Sequence, residues 1–214
     1  MKEDKLLLFL AVIAVIVAVV AAGFTYFSIV NLVTIVGRAT DTGTTNLTVE
    51  SSIAVNFTTA AINWSDGLVD VGQSNATLNT TGAGSVANGN WTSQTGLILE
   101  NIGNLNLSLN ISGGKSAVDF LGGTNPLYRW NFSVTEANAC LNETGQDGTN
   151  GTGGGQGPLQ SFYDVNTTIA NRICDVFQFI DTADELRIDF LLQVPSDAPT
   201  GSKTDTITAT VFTV

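Results

Sequence analysis

GLILENIGNLNLSLNIS, residues 96–112, alternates apolar and polar side chains over most of its length. Successive side chains of a β-strand point to opposite faces, so Leu97, Leu99, Leu105, Leu107, Leu109 and Ile111 share one face. Asn101-Ile102-Gly103-Asn104 interrupts that apolar row without changing its parity. A bend or bulge at Gly103 would let the ribbon cross from one sheet to another. The same alternation recurs in Tyr128, Trp130, Phe132 and Val134, and again in Leu186, Ile188, Phe190, Leu192 and Val194, the latter interleaved with Arg187, Asp189 and Gln193. PSDAPTG at 195–201 supplies turn chemistry before Ile207, Ala209 and Val211 continue in a last strand. Towards the N-terminus, Leu47, Val49, Ile53, Val55 and Phe57 share a parity that predicts a further strand. Short alternating runs separated by Gly, Asn, Ser and Thr clusters predict a mainly β domain over residues 43–214, an antiparallel Ig-like β-sandwich.

Before that domain stands a run of a different kind. Leu6 to Val36 holds 31 residues without a charge. A bilayer core needs about 20 apolar residues in a helix. Residues 6–27 are read as a transmembrane helix, with Phe24, Tyr26 and Phe27 as an interfacial aromatic belt. Residues 1–5 form a short cytoplasmic tip, and 28–42 a connector. Ile29, Leu32, Val33 and Val36 recur at helical spacing, so the helix is expected to run on towards Gly37. The competing reading is a cleaved signal peptide with Val20 and Ala22 as its small-residue site. Lys2 and Lys5 before the span against Arg38 after it orient the N-terminus to the cytoplasm and the C-terminal domain outside.

Asn-x-Ser/Thr acceptor triplets agree with that orientation. They begin at Asn46, Asn56, Asn63, Asn75, Asn79, Asn90, Asn106, Asn110, Asn131, Asn142, Asn150 and Asn166. Asn and Thr are abundant here, so chance alone yields several. Within the legible strands, however, each falls on the polar parity, where a glycan would not disturb a core. Asn106 and Asn110 oppose the Leu105–Ile111 row, Asn131 opposes the Trp130 row, and Ile62 and Trp64 flank Asn63.

Composition narrows the function classes. Beyond residue 40 there are 17 acidic and five basic side chains, a net charge of −12 that repels phosphate backbones and argues against nucleic acid as a partner. The two cysteines, Cys140 and Cys174, suit one disulfide in an oxidising compartment. Closing that loop stabilises by about 4 kcal/mol in the chain-entropy model. Between them GQDGTNGTGGGQG, 145–157, is too polar and glycine-rich to pack and reads as a surface loop.

The chain has no histidine, which removes the usual general base, Ser-His nucleophile pairs and His-based metal sites together. Gly113-Gly114-Lys115-Ser116 has the tail of a phosphate-binding loop, but Leu109 stands where its first glycine is required, and the stretch reads as a turn. Asp181, Asp184 and Glu185 read as a solvated turn, with a weak calcium site as the alternative. Trp64 and Trp130 follow the apolar parity and are expected in the core; Trp91 is undecided between packing and a sugar-binding face. No catalytic residue, metal, cofactor or small-molecule substrate is expected.

GRATDTGTTNLTVES at 37–51, GLILENIGNLNLSLNISGGKSA at 96–117 and PSDAPTGSKTDTITATV at 195–211 resemble uncharacterised membrane-anchored β-sandwich cell-surface proteins of small-genome archaea. The layout is also similar to archaeal type IV pilins and archaellins, whose helices form a filament core. Lys5 runs directly into Leu6, without the small residue that usually follows the basic one at a prepilin processing site. The resemblance implies a non-enzymatic, N-glycosylated surface protein with a structural or contact role in the cell envelope. Its partners would be the membrane through residues 6–27 and further copies of itself or surface-layer proteins. A pilin-like filament subunit and an adhesin or ligand-binding ectodomain are the alternatives.

Overall fold

A computed structural model describes residues 2–33, 47–142, 161–167 and 172–214. Most of the expected connector, the 145–157 loop, Asn46 and Asn150 lie outside the described residues. The chain forms two compact units, Met1–Thr48 and Val49–Val214.

The first unit is helix α1, Lys2–Val33, which already includes Lys2 to Lys5 of the expected tip. Leu7–Phe27 is 21 residues long with a mean hydropathy of 3.1. At 1.5 Å per residue it extends about 31 Å, close to the thickness of a bilayer core. Its apolar side chains point all round the axis rather than along one stripe: Leu7, Phe24 and Phe27 are 66%, 71% and 68% exposed. A helix apolar on every side belongs in a protein interior or in lipid.

The second unit is mainly β. Its strands are β1 Asn56–Thr59, β2 Asn75–Asn79, β3 Ser85–Ala87, β4 Leu97–Glu100 and β5 Leu107–Gly113. The short helix α2, Ala117–Phe120, precedes β6 Leu127–Val134, β7 Cys140–Leu141 and β8 Tyr163–Asp164. β9 Arg172–Phe177, β10 Glu185–Pro195 and β11 Ile207–Thr213 complete it. Among the described residues, one sheet holds β1, β4, β10, β2, β3, β6 and β8, and the other runs β11-β5-β9-β7. All pairings between these strands are antiparallel.

The two sheets close on one core. Leu78, Leu99, Trp130, Phe132, Leu186 and Ile188 from the larger sheet meet Leu109, Ile111, Ile173 and Phe177 from the smaller. Each fully buried side chain of this size is worth about 1.5–3 kcal/mol relative to exposure. β10 organises the larger sheet. One of its edges pairs with β6 from Leu186 to Gln193. The other pairs first with β4 over Glu185–Ile188 and then with β2 over Leu191–Pro195.

The 96–112 ribbon does cross between sheets, since β4 and β5 belong to different ones. Asn101, 1% exposed, makes the crossing possible. Its Nδ2 donates to the carbonyls of Leu105 at 3.0 Å and Phe177 at 3.1 Å, and its Oδ1 accepts from Gly103 N at 3.1 Å. Gly103 is required for space: a Cβ there would lie 2.4 Å from the Ser52 carbonyl oxygen. Asn104 then grips the incoming chain, donating to Glu50 O and accepting from Ser52 N, each at 2.7 Å.

One expected strand is shorter than its alternation. Only Asn56–Thr59 pairs, with β4, while Leu47, Val49 and Ile53 are 85%, 74% and 50% exposed. The parity of 47–53 has no sheet to act on, because the hydrogen bonds at 50–52 go to one residue, Asn104, through its side chain and its backbone N at 3.1 Å, and not to a ladder.

Replacing Asn101 by Ala strands Phe177 O, Leu105 O and Gly103 N at a buried crossing and is expected to cost about 3 kcal/mol, given about 1–3 kcal/mol per unsatisfied buried group. Asn104→Ala, at an exposed clamp, should cost about 1 kcal/mol or less. Equilibrium denaturation of both variants checks the order.

Candidate functional site

Among the described residues no cluster of reactive side chains gathers in the β-unit, which leaves the acceptor asparagines as the candidate sites. Asn56, Asn63, Asn90 and Asn106 are exposed. Asn63 Oδ1 accepts from Ser65 N at 3.0 Å, and Asn90 Oδ1 from Leu68 N at 2.8 Å. These bonds fix each carboxamide through its oxygen and leave Nδ2, the atom that carries an N-glycan, without a partner among the described residues. Asn79, half-buried at the end of β2, is held the same way by Thr81 N at 2.9 Å. Asn75, Asn142 and Asn166 are also half-buried. The Nδ2 of Asn75 donates to Ser74 Oγ at 3.3 Å. Asn166 lends its carbonyl to Gly113 N at 2.9 Å.

Asn110 and Asn131 depart from the expectation of the alternation, at 9% and 7% exposed. Asn110 is on the outward face of β5, yet all seven residues of that strand are buried between β11 and β9. Asn131 is in register with Asp189, which is itself 3% exposed. Polar parity names a face; it does not say whether that face is open. Neither side chain projects into solvent as a glycan acceptor would.

Asp189 is buried because a polar knot sits where β10 changes partner from β4 to β2. Arg187 Nε reaches both Asp189 oxygens at 3.0 Å, and its Nη2 donates to Thr80 O at 2.8 Å and Gly82 O at 3.0 Å. Thr80 Oγ1 donates to Asp189 Oδ1 at 2.9 Å and accepts from Phe190 N at 2.8 Å. Thr80 N donates to Phe190 O at 3.0 Å, so the backbone groups at the change of partner are satisfied by side chains together with the backbone of Thr80.

Cys140 and Cys174 form the expected disulfide, with Cα atoms 5.2 Å apart. It ties β7 to β9 inside the smaller sheet, unlike the inter-sheet bridge of antibody domains. Trp130 is fully buried and Trp64 half-buried against the core, as expected. Trp91 joins them: it packs on the core, and a Cβ on Gly67 or Gly89 would lie 2.4 Å or 2.6 Å from its indole. The bridge between Val69 and Gly89 turns Trp91 inward and its neighbour Asn90 outward. Gly113–Ser116 is a turn leading into α2; Ser116 Oγ caps Asp119 N at 3.3 Å, and Lys115 Nζ is spent on Thr204 O at 2.6 Å.

Around Asp184 the acidic turn is electrostatically crowded. Burial, then Glu136, Glu100 and Asp181, push its carboxyl up to about 6. Among the described residues no three such side chains converge as a cation site. A shallow, open cleft of about 520 Å³ lies on the smaller sheet, where Arg172 and Asp175 pair at 3.4 Å beside Ser108, Asn142 and Thr213. Tyr128 is held protonated by burial and by Asp205, whose Oδ2 accepts its hydroxyl at 3.0 Å. Thr124 holds the Asp197 carboxyl below the ordinary range through two hydrogen bonds. Among the described residues these groups are spread over separate turns and strands. No protein-family model, curated protein or solved structure matches this chain.

Asp184 yields a pH prediction. Its folded value of about 6 exceeds the ordinary 3.8, so the folded state binds a proton more tightly than the unfolded state. Its contribution therefore favours folding below about pH 4 and fades as pH rises from about 4 to about 6. Thermal melts across that window should show this slope, and Asp184→Asn should flatten it.

Proposed function

We propose that this chain is a non-enzymatic, N-glycosylated, single-pass protein of the cell surface, with a structural or contact role in the envelope. One juxtaposition carries the reading. A helix long and apolar enough to cross a membrane precedes a disulfide-bonded β-unit with exposed acceptor asparagines on separate segments. A disulfide is at home in an oxidising compartment, which agrees with a domain outside the cell. The absence of histidine and the capping role of the Gly113–Ser116 turn agree with a binding or structural part rather than a catalytic one. In this reading α1 holds the protein in the bilayer with its N-terminus in the cytoplasm, and glycans on Asn56, Asn63, Asn90 and Asn106 coat the domain. Asn56, on the edge strand β1, would also blunt that edge against unwanted pairing.

A pilin-like filament subunit is the second reading. It is favoured by the length of α1, which continues as helix six residues past Phe27 to Val33. A helix bundle at a filament core would use that excess, whereas a single span of about 20 residues does not need it.

Mass spectrometry of the protein from its native membrane tests both. The anchored reading expects an intact N-terminus, with added mass at the four exposed asparagines and none at Asn110 or Asn131. A mature start at Leu6 would favour the filament, and a start at Gly23 would mean a secreted domain.

A further inference from the structure

Sheet edges are where β-proteins are prone to pair with other chains, and native edges are commonly kept short, charged or interrupted. Among the described residues four edge strands follow that rule: β1 has four residues, β3 three, and β7 and β8 two each. β11 does not. It runs seven residues, Ile-Thr-Ala-Thr-Val-Phe-Thr, without a charge, proline or glycine. Its register with β5 is unbroken from Ile207↔Gly113 to Thr213↔Leu107, so no bulge twists it away. Among the described residues its other side has no strand partner.

The core beneath this edge is unfinished as well. Leu109 and Ile111 on β5 are fully buried, whereas Val211 and Ala209, directly opposite them, are only half-buried, as is Ile207. On the outward face Phe212 is 48% exposed. β11 itself carries no Asn-x-Ser/Thr triplet.

We propose that β11 is a pairing edge for a second copy of this chain. Two β11 strands join antiparallel about a two-fold axis and extend the smaller sheet to twice its width. The self-complementary sequence favours this occupant. Full overlap of the seven residues sets Thr210 opposite its own copy, Ala209 opposite Val211 and Thr208 opposite Phe212. The first apolar pair closes the half-open core row, and the second covers the exposed phenyl ring against a β-branched neighbour. The chain carries a net charge of −11, so copies repel over most of their surface, and an uncharged strand is where they can approach. This inference rests on β11 and does not depend on whether α1 spans a membrane.

The test uses the full chain in detergent micelles. Sedimentation should show a dimer, and Thr210→Lys, which sets two like charges face to face, should weaken it at least about tenfold. Thr95→Lys, exposed and outside every acceptor triplet, should leave it intact. Because both native cysteines are in a disulfide, Thr210→Cys adds the only thiol, and mild oxidation should trap a covalent dimer through it. A wild-type chain that stays monomeric overturns the proposal. So does a dimer that ignores Thr210→Lys and gives no Thr210→Cys cross-link, since α1 alone would then hold it. Should the lysine variant fail to fold by circular dichroism, the cysteine cross-link decides.

Discussion

A single continuous ribbon serves both sheets, and the carboxamide of Asn101 is what lets it do so. When a strand leaves one sheet for another it abandons a ladder, and its backbone groups enter an apolar interior without partners. Asn101 meets that need three times over, bonding Leu105 O, Phe177 O and Gly103 N from one nearly sealed position. Phe177 belongs to β9 of the smaller sheet, while Asn101 N itself donates to Asp184 O just before β10 of the larger. The side chain and backbone of one residue therefore bond to both layers, and the facing apolar rows are aligned around it.

β10 solves the complementary problem. It is the longest of the described strands, and no single neighbour matches its length on the β4–β2 side. The gap between those two neighbours is filled by Thr80 and by the Arg187–Asp189 ion pair, its aspartate buried, its arginine half-buried and both hydrogen-bonded. Such a pair adds little net stability over a well-packed apolar substitute, yet removing one partner alone leaves a charge stranded. Its value here is positional: Nη2 of Arg187 holds the Thr80–Gly82 turn over the gap, fixing where β2 begins to pair.

Period-two alternation made the strands β5, β6, β10 and β11 legible in the sequence, together with the crossing at Asn101–Asn104 and the inward Trp64 and Trp130. Each of these depends on which face a side chain takes, and alternation encodes that directly. What alternation lacks is the state of the opposite face. Asp189, Asn131 and Asn110 all have polar parity and all are buried, because a central strand is covered by its neighbours' side chains and by turns arriving from elsewhere in the chain. The reverse error occurs at Leu47, Val49 and Ile53, whose parity is that of a core strand although they are exposed. The acceptor asparagines were readable as motifs, but separating Asn90 from Asn131 needed the fold. For Trp91 the signal was present in its neighbours: Gly89 two residues before it and Gly67 leave room for an indole and for little else.

The balance of charge gives the surface its character. Charged residues are 13% of the chain, about half the usual share for a soluble domain. The three arginines among the described residues are all committed to aspartates, in Arg129–Asp164, Arg172–Asp175 and Arg187–Asp189. The acidic excess is left largely unneutralised while most surface polarity comes from neutral Asn, Thr, Ser and Gly. Repulsion between acidic surfaces fades within about 10 Å at 0.1 M salt, so it orients an approach without preventing contact at a neutral strand. Amide and hydroxyl groups keep such a surface wet without adding to that field. Selective contact then depends on where backbone groups and half-covered apolar side chains remain available together, and among the described strands β11 combines both over its full length.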